Sequence, residues 1–504
     1  MFPSLEYQGS IKSEEDRFGN LIPHYLQHCL DEQINLLNIQ LSMKSISLKI
    51  FISVCILIVL HVAPEGPQSG RFTDTVRALV DLGTFALPKD VPHHVDVVQI
   101  NGQIYSVIAP GLPIILASLY WVYRNLASMI GLPMNDVFWG GFNCLANATA
   151  TAPLLGLTAI AMLDTLRYLT NDTSKQIWLV FISIFGSFVF FYSTYGIWVH
   201  VYTMALVFIA FNLILRKRNN FLIGLVLGIA QIIDYIAILP ISFLIGFWIY
   251  TNRKATLKNS IRTGLLVLLG YSIFLLGLLY YNYIITRSPF QTPNSLFLQQ
   301  ANQQQISSRT MFMLPSIASF WGLSFSPYRG LYLYFPMTFL FTWSLLKKSY
   351  LKNSVILFSM IMVIFTFLYN STYYAWSGDV GFGPRHLVVA LAFIILPTVY
   401  CSLKYIQLFG CLSIFISLAG VSTIPSNNLF TNIFMFIYRG LFLDWLDFAY
   451  KIVLPKYFNI NLYLVTPFFL YVGIGSVFYM IWKPELTKSD YKHRNPEGIL
   501  RIAT

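Results

Sequence analysis

Charge is what this chain has least of. Only 11% of its 504 residues are Asp, Glu, Lys or Arg, against roughly 25% in soluble domains. With 56% hydrophobic residues and a mean hydropathy of +0.62, that scarcity excludes an ordinary soluble enzyme. Acids are rarer than bases, 21 against 33, and the formal net charge is +12. In a soluble protein this excess would suggest nucleic acid. In so apolar a chain it fits basic cytoplasmic loops, and no nucleic-acid partner is expected. Cysteine is also sparse. Cys29, Cys55, Cys144, Cys401 and Cys411 are scattered, which excludes a disulfide framework and a metal-binding spacing. A cleavable signal peptide is not visible, because residues 1–43 are polar and the first apolar run starts near Ser45. There is no short-period repeat, and no matched pair of Gly/Pro-broken runs of the kind transporters carry.

Long apolar runs are what the chain does have. They lie near 46–62, 139–163, 177–193, 197–215, 219–232, 236–252, 263–284, 331–346, 353–370, 387–403, 405–421 and 459–482, and a span needs about 20 such residues. Basic clusters at Lys44/Lys49, Arg216–Arg218, Arg253–Arg262, Lys347–Lys352, Lys404 and from Lys483 onward set one side as cytoplasmic. Parity then leaves run 107–123 lying in the outer interface instead of crossing, with Tyr120, Trp121, Tyr123 and Arg124 at its end. The expectation is an all-α polytopic membrane protein of about twelve transmembrane helices, with juxtamembrane helices in an outer first loop. Its expected parts are a cytoplasmic segment 1–45, a transmembrane catalytic module 46–403, C-terminal transmembrane helices 404–482 with outer loop 422–458, and a basic tail 483–504. Outer loops are expected at 63–106, 285–330, 371–386 and 422–458.

The chemistry-bearing residues gather on that outer side. In "GRFTDTVRALVDLGTFALPKD" a helix would set Arg71, Asp74, Ala78 and Asp81 on one face, with Arg77 beside both acids. A carboxylate there could take a proton from a hydroxyl, and a guanidinium fork matches phosphate oxygens. A salt-bridged interfacial helix is the plainer alternative. "VDVVQINGQIYSVIAPG" carries Asp96, Tyr105 and a hairpin-like Asn101-Gly102 turn. The neighbours His93 and His94 cannot face one another on a helix and make a poor metal site. His200 follows "FFYSTYGIWVH", and Asp234-Tyr235 falls between two short runs, where an ionisable group needs partners. Arg287 and Arg329 sit at interfaces, where a lone Arg usually only anchors. "YYAWSGDVGFGPRHL" adds Tyr373, Tyr374 and Trp376 as flat faces for a sugar or a lipid edge. There Pro384 would open a helix whose free N–H groups, with Arg385 and His386, suit a phosphate.

Taken in order, "GRFTDTVRALVDLGTF", "DVVQINGQIYSVIAPG", "FFYSTYGIWVH", "DY", "YYNYIITRSPF", "SPYRGLYLYFP" and "YAWSGDVGFGPRHLV" resemble bacterial-type integral-membrane glycosyltransferases of the GT-C superfamily. The likeness is to the broad protein-mannosyltransferase and aminoarabinose-transferase group, over roughly residues 60–400. It implies a polyprenyl-phosphate-linked sugar donor, a lipid, glycan or protein hydroxyl acceptor, a first-loop acid as general base, and usually inversion at the anomeric carbon. Relatives place the acid just before the Arg-aromatic pair that Arg71-Phe72 matches. Here Gln68, Ser69 and Gly70 stand there, so Asp74 is the nearest base, with Asp81 and Asp96 behind it. Relatives also tend to have a Lys before the Pro of "APG", where this chain has Val107 and Ile108. The donor phosphate would then fall to Arg71, Arg329 or Arg385, with His386 beside the last. His200, Asp234, Tyr235, Tyr105, Trp376 and Tyr374 would line the substrate pocket. No spacing demands a cofactor, and a divalent cation is left open. A bacterial inner membrane, with the site on its outer face, is the expected location. A transporter or flippase is the main alternative, and a non-catalytic scaffold would not need such one-sided clustering.

Overall fold

The computed structural model describes residues 45–64, 69–88, 96–303, 312–347, 349–378, 381–423, 428–460 and 467–494. They fall into two units, Met1–Ile50 and Phe51–Thr504. Only residues 45–50 of the first are described, as helix. Residues 1–44 of the expected segment 1–45, and His93-His94, lie outside the described residues.

Helices make up nearly all the regular structure. Runs of Leu, Ile, Val and Phe offer no side-chain partners to the backbone, so each run satisfies its own peptide groups, as it must in lipid. Polar residues between runs set the boundaries. The side chains of Asn135, Asp172, Asn219, Asn353 and Asn428 each accept a backbone N–H of the helix they precede. Arg287, with φ 64°, ends the 30-residue helix Leu257–Thr286.

Among the described residues, five helices are long and apolar enough to cross a membrane: Asp136–Leu169, Tyr235–Asn252, Leu257–Thr286, Ser354–Thr372 and Leu403–Val421. The pair Leu429–Arg439 and Asp444–Phe458, bent by 59°, would make a sixth if it counts as one span. Other expected runs form shorter apolar helices: Ser45–Leu60, Thr173–Phe185, Val199–Leu215, Asn220–Ile233, Arg385–Thr398 and Phe469–Lys483. Two runs are interrupted. Run 177–193 breaks after Phe185 and resumes as Val189–Thr194, and run 331–346 breaks at Phe335-Pro336, where proline has no N–H to give. The 19-residue helix Gly111–Met129 is not among the five. Residues 422–458, expected as a loop, are largely helical.

Helices Asn220–Ile233 and Leu257–Thr286 lie backbone to backbone because glycine permits it. A Cβ on Gly224 would collide with the Val267 carbonyl, and one on Gly270 with that of Phe221. The end of Asn220–Ile233 also meets the start of Gly111–Met129, where a Cβ on Gly111 would stand 2.6 Å from Ile232 backbone.

The first loop folds over that junction. Strands Val97–Ile100 and Gln103–Ser106 pair antiparallel, Val97 opposite Ser106, through a turn with Asn101 at φ 49° and Gly102 at φ 78°. Ile100, Tyr105 and Phe85 pack with Tyr235 onto the buried cluster of Ile232, Leu278, Tyr281 and Ile285. The loop is thereby seated beside Asp234-Tyr235.

Candidate functional site

The site is built around residues 373–387. Gly381 (φ 150°) and Gly383 (φ 73°) turn the chain inward, and a Cβ on Gly381 would collide with the Tyr192 hydroxyl. Phe382, fully buried, is driven between Phe191 and Tyr334. Pro384 has ψ 84°, so it precedes the helix instead of opening it. The first turn, Arg385–Leu387, closes as a 3-10 helix in which the Leu387 N–H donates to the Pro384 carbonyl at 2.8 Å. The expected row of free N–H groups is therefore shortened, and side chains carry the site.

Those side chains diverge. The Arg385 guanidinium turns one way and lies 5.5 Å from the Trp198 ring centre. The Tyr192 hydroxyl is within electrostatic reach of both Arg385 and Arg329. His386 turns the other way, ring edge to face with His200 at 5.2 Å and with Tyr373 at 5.3 Å. Burial, reinforced by the Arg385 charge and by His200, holds the His386 imidazole pKa well below its usual value. It is thus a neutral ring at physiological pH.

His200 and Asp234 complete this second group. Asp234 caps the short turn after it, accepting the Ile236 N–H at 3.0 Å on Oδ1. Its Oδ2 accepts the Thr203 hydroxyl at 3.2 Å and lies 3.7 Å from His200 Nδ1. His200, Thr203, Asp234, Asn370, Tyr373 and His386 line one cavity of about 40 Å³, room for about one water-sized group. His386 Nε2 and Asn370 Oδ1 are buried without a hydrogen-bond partner. The rest of the lining is largely apolar, with Ile236, Leu239, Phe365 and Val389, so these unsatisfied buried atoms are the feature that calls for a binding group.

The remaining expected residues divide. Arg329 is 1% exposed; its Nε and Nη1 donate to the Ser377 and Tyr328 carbonyls at 2.7 and 2.8 Å. It stacks 4.2 Å over the Tyr328 ring, so it ties segment 326–335 to the 373–387 loop. Trp376 lies against Gly322 and edge-on to Tyr328, an anchor and not a platform. Tyr374 packs on Tyr373 at 4.9 Å. The Tyr235 hydroxyl donates to Asn282 at 3.0 Å, and Tyr105 is committed to the hairpin cluster.

In the first loop, helix Ser69–Asp81 packs along Gly111–Met129. Asp81 is consumed there. Its carboxylate lies 2.8 Å from Arg124 and 3.7 Å from Arg77, and accepts the Tyr120 hydroxyl at 3.2 Å. Burial and that carboxylate push the Tyr120 pKa well up. The plainer reading, a salt-bridged helix, thus holds for Asp81. Asp74 is 8% exposed on the same helix, and Asp96 sits at a left-handed φ of 76° ahead of the hairpin. The side chain of Arg71 lies outside the described residues. Among the described residues, no group of three or more His, Cys, Asp or Glu side chains is placed to hold a metal ion.

Sequence reasoning missed Thr203 and Asn370. Thr203 stands three residues after His200, on the same helix face, which was the available signal. Asn370 lies at the far end of a different helix, and nothing local marks it. Together the fold and these features define a helical membrane protein of several spans. No protein-family model, curated protein or solved structure matches the chain.

Proposed function

We propose that this protein is a glycosyltransferase that moves a sugar from a polyprenyl-phosphate donor to a hydroxyl acceptor on a lipid, glycan or protein. In this reading it has about twelve spans with both termini cytoplasmic, Gly111–Met129 lies along the outer face, and the membrane is a bacterial inner membrane. The observation that carries the reading is the meeting of His200, Asp234 and His386 on one cavity, with Arg385 adjoining and the first loop seated beside Tyr235. In the transfer, the acceptor oxygen bonds to the anomeric carbon and the donor's sugar–oxygen bond breaks. Its electron pair leaves with the lipid phosphate, and the hydroxyl proton passes to a carboxylate. Arg385 faces the departing charge, the main electrostatic task in a water-poor site. Asp74 is the proposed base, and Asp234, oriented by Thr203 and His200, positions the acceptor. Mass spectrometry of lipids that co-purify with the protein tests this: a polyprenyl-phosphate sugar is expected, and its consistent absence argues against the donor.

One observation favours a second reading. The row His386–His200–Asp234 is of the kind that also serves proton relays in transporters. Proton-coupled uptake by proteoliposomes, lost in Asp234→Asn, would select it.

A further inference from the structure

We infer that the C-terminal helices complete a second site, a seat for a membrane phospholipid, which does not rest on the transfer reaction above. Two voids meet there. An open-sided groove of about 1220 Å³ runs along Cys55, Val59 and Leu60, faces Tyr123, and is closed by Leu470 and Ile474. The few polar atoms of its lining are already satisfied within the protein. The Tyr123 hydroxyl donates to the Phe138 carbonyl at 3.0 Å, and Trp445 Nε1 to that of Leu60 at 2.7 Å. A second cavity of about 640 Å³ has a mixed lining, in which Tyr195, Ser422, Arg439, Asp444, Asp447 and Lys451 stand among apolar residues such as Phe442 and Phe448. The two are lined by neighbouring residues of the same short segments. Val62 and Trp445 line the groove, and Pro64 and Asp444 line the cavity.

Apolar lining that gives way to charged lining along one helix matches an amphiphile, with its chains in the groove and its head in the cavity. The charges narrow the head. Lys451 is paired with Asp447 at 2.8 Å. Arg439 has no carboxylate within ion-pair distance among the described residues, so it offers its fork to a phosphate. Two bases and two acids make a balanced lining, suited to a single phosphate ester and not to a polyphosphate. Ser422, 1% exposed, adds a hydroxyl with no hydrogen-bond partner among the described residues, which a phosphate oxygen would satisfy. Because the groove is open-sided, its occupant exchanges with the surrounding bilayer, where phospholipid is the commonest lipid phosphate.

The test is native mass spectrometry of the full-length protein in mild detergent, dosed with phosphatidylglycerol or with diacylglycerol of the same chains. Phosphatidylglycerol should be retained over diacylglycerol, and should raise the Tm of the wild type. Arg439→Ala should lower its retention about tenfold, the loss expected for one charge-assisted contact. Val59→Trp, at an exposed groove position, should lower retention of both lipids. Equal retention of the two lipids, or no change in Arg439→Ala while its Tm without lipid is unaltered, would overturn the assignment. So would displacement by inorganic phosphate alone, or clear preference for an added polyprenyl phosphate. Sugar transfer can fail without touching any of these outcomes.

Discussion

Asp234 shows how a half-buried carboxyl group between two helices is given partners. It accepts a backbone N–H on one oxygen and a hydroxyl on the other, with the His200 ring 3.7 Å away, the partners that an ionisable group in an apolar setting needs. The pairing gives separable expectations. Arg385→Ala should raise the donor KM about tenfold, the loss of one charge-assisted contact, with the fold intact. Asp74→Asn should lower kcat by roughly 100-fold or more at unchanged donor KM. Asp81→Ala should instead lower Tm, by loss of roughly 1–3 kcal/mol of hydrogen-bonded ion pairing, and leave KM unchanged; kinetics and melting of the three variants separate the roles. His386 supplies a pH test. Its folded pKa lies below the unfolded value of 6.5, so the unfolded chain binds more protons. Stability is therefore full above about pH 6.5 and falls as pH drops through that value. His386→Gln should flatten the decline of Tm between about pH 7 and pH 5, and an unchanged slope would remove His386 as the source.

At the scale of elements, the sequence disclosed location better than continuity. Apolar runs became helices almost where their length and the basic clusters put them, because an apolar run has no other partner for its backbone. The Asn101-Gly102 hairpin was legible for a similar reason, since only a primed turn suits that pair. Breaks were less legible. Phe335-Pro336 interrupts a run that composition alone joins, and Pro384 stands before its helix because the glycine-led turn leaves its ψ extended. Convergence on one cavity was legible where chemistry is rare, as for His200, Asp234 and His386. What residue type alone does not show is the packing of two others: Arg329 is buried and bonded to the Ser377 and Tyr328 carbonyls, and half-buried Trp376 rests against Gly322. The close pair Asn220–Ile233 and Leu257–Thr286 depends on glycine. Gly224→Val should prevent that approach and lower the folded yield and Tm, an overpacking penalty of roughly 1–3 kcal/mol or more. A variant melting like the wild type would show that the pair can separate freely.

For the whole molecule, sidedness links the proposed chemistry to the membrane. The hairpin at Asn101 and the basic turn at Asn252-Arg253 should face opposite compartments. In a cysteine-free background, Asn101→Cys should react with an impermeant thiol reagent in intact cells and Asn252→Cys only after permeabilisation. Reaction of both from one side would rule out the twelve-span arrangement. The most direct measurement of the central claim is label transfer from a polyprenyl-phosphate [14C]sugar in proteoliposomes. The proposed function predicts label moving to a hydroxyl-bearing acceptor with wild-type protein, at a rate cut sharply in Asp74→Asn and with a raised donor KM in Arg385→Ala. Wild-type protein that moves no label from the donor found bound to it, or equal rates in all three proteins, would contradict it.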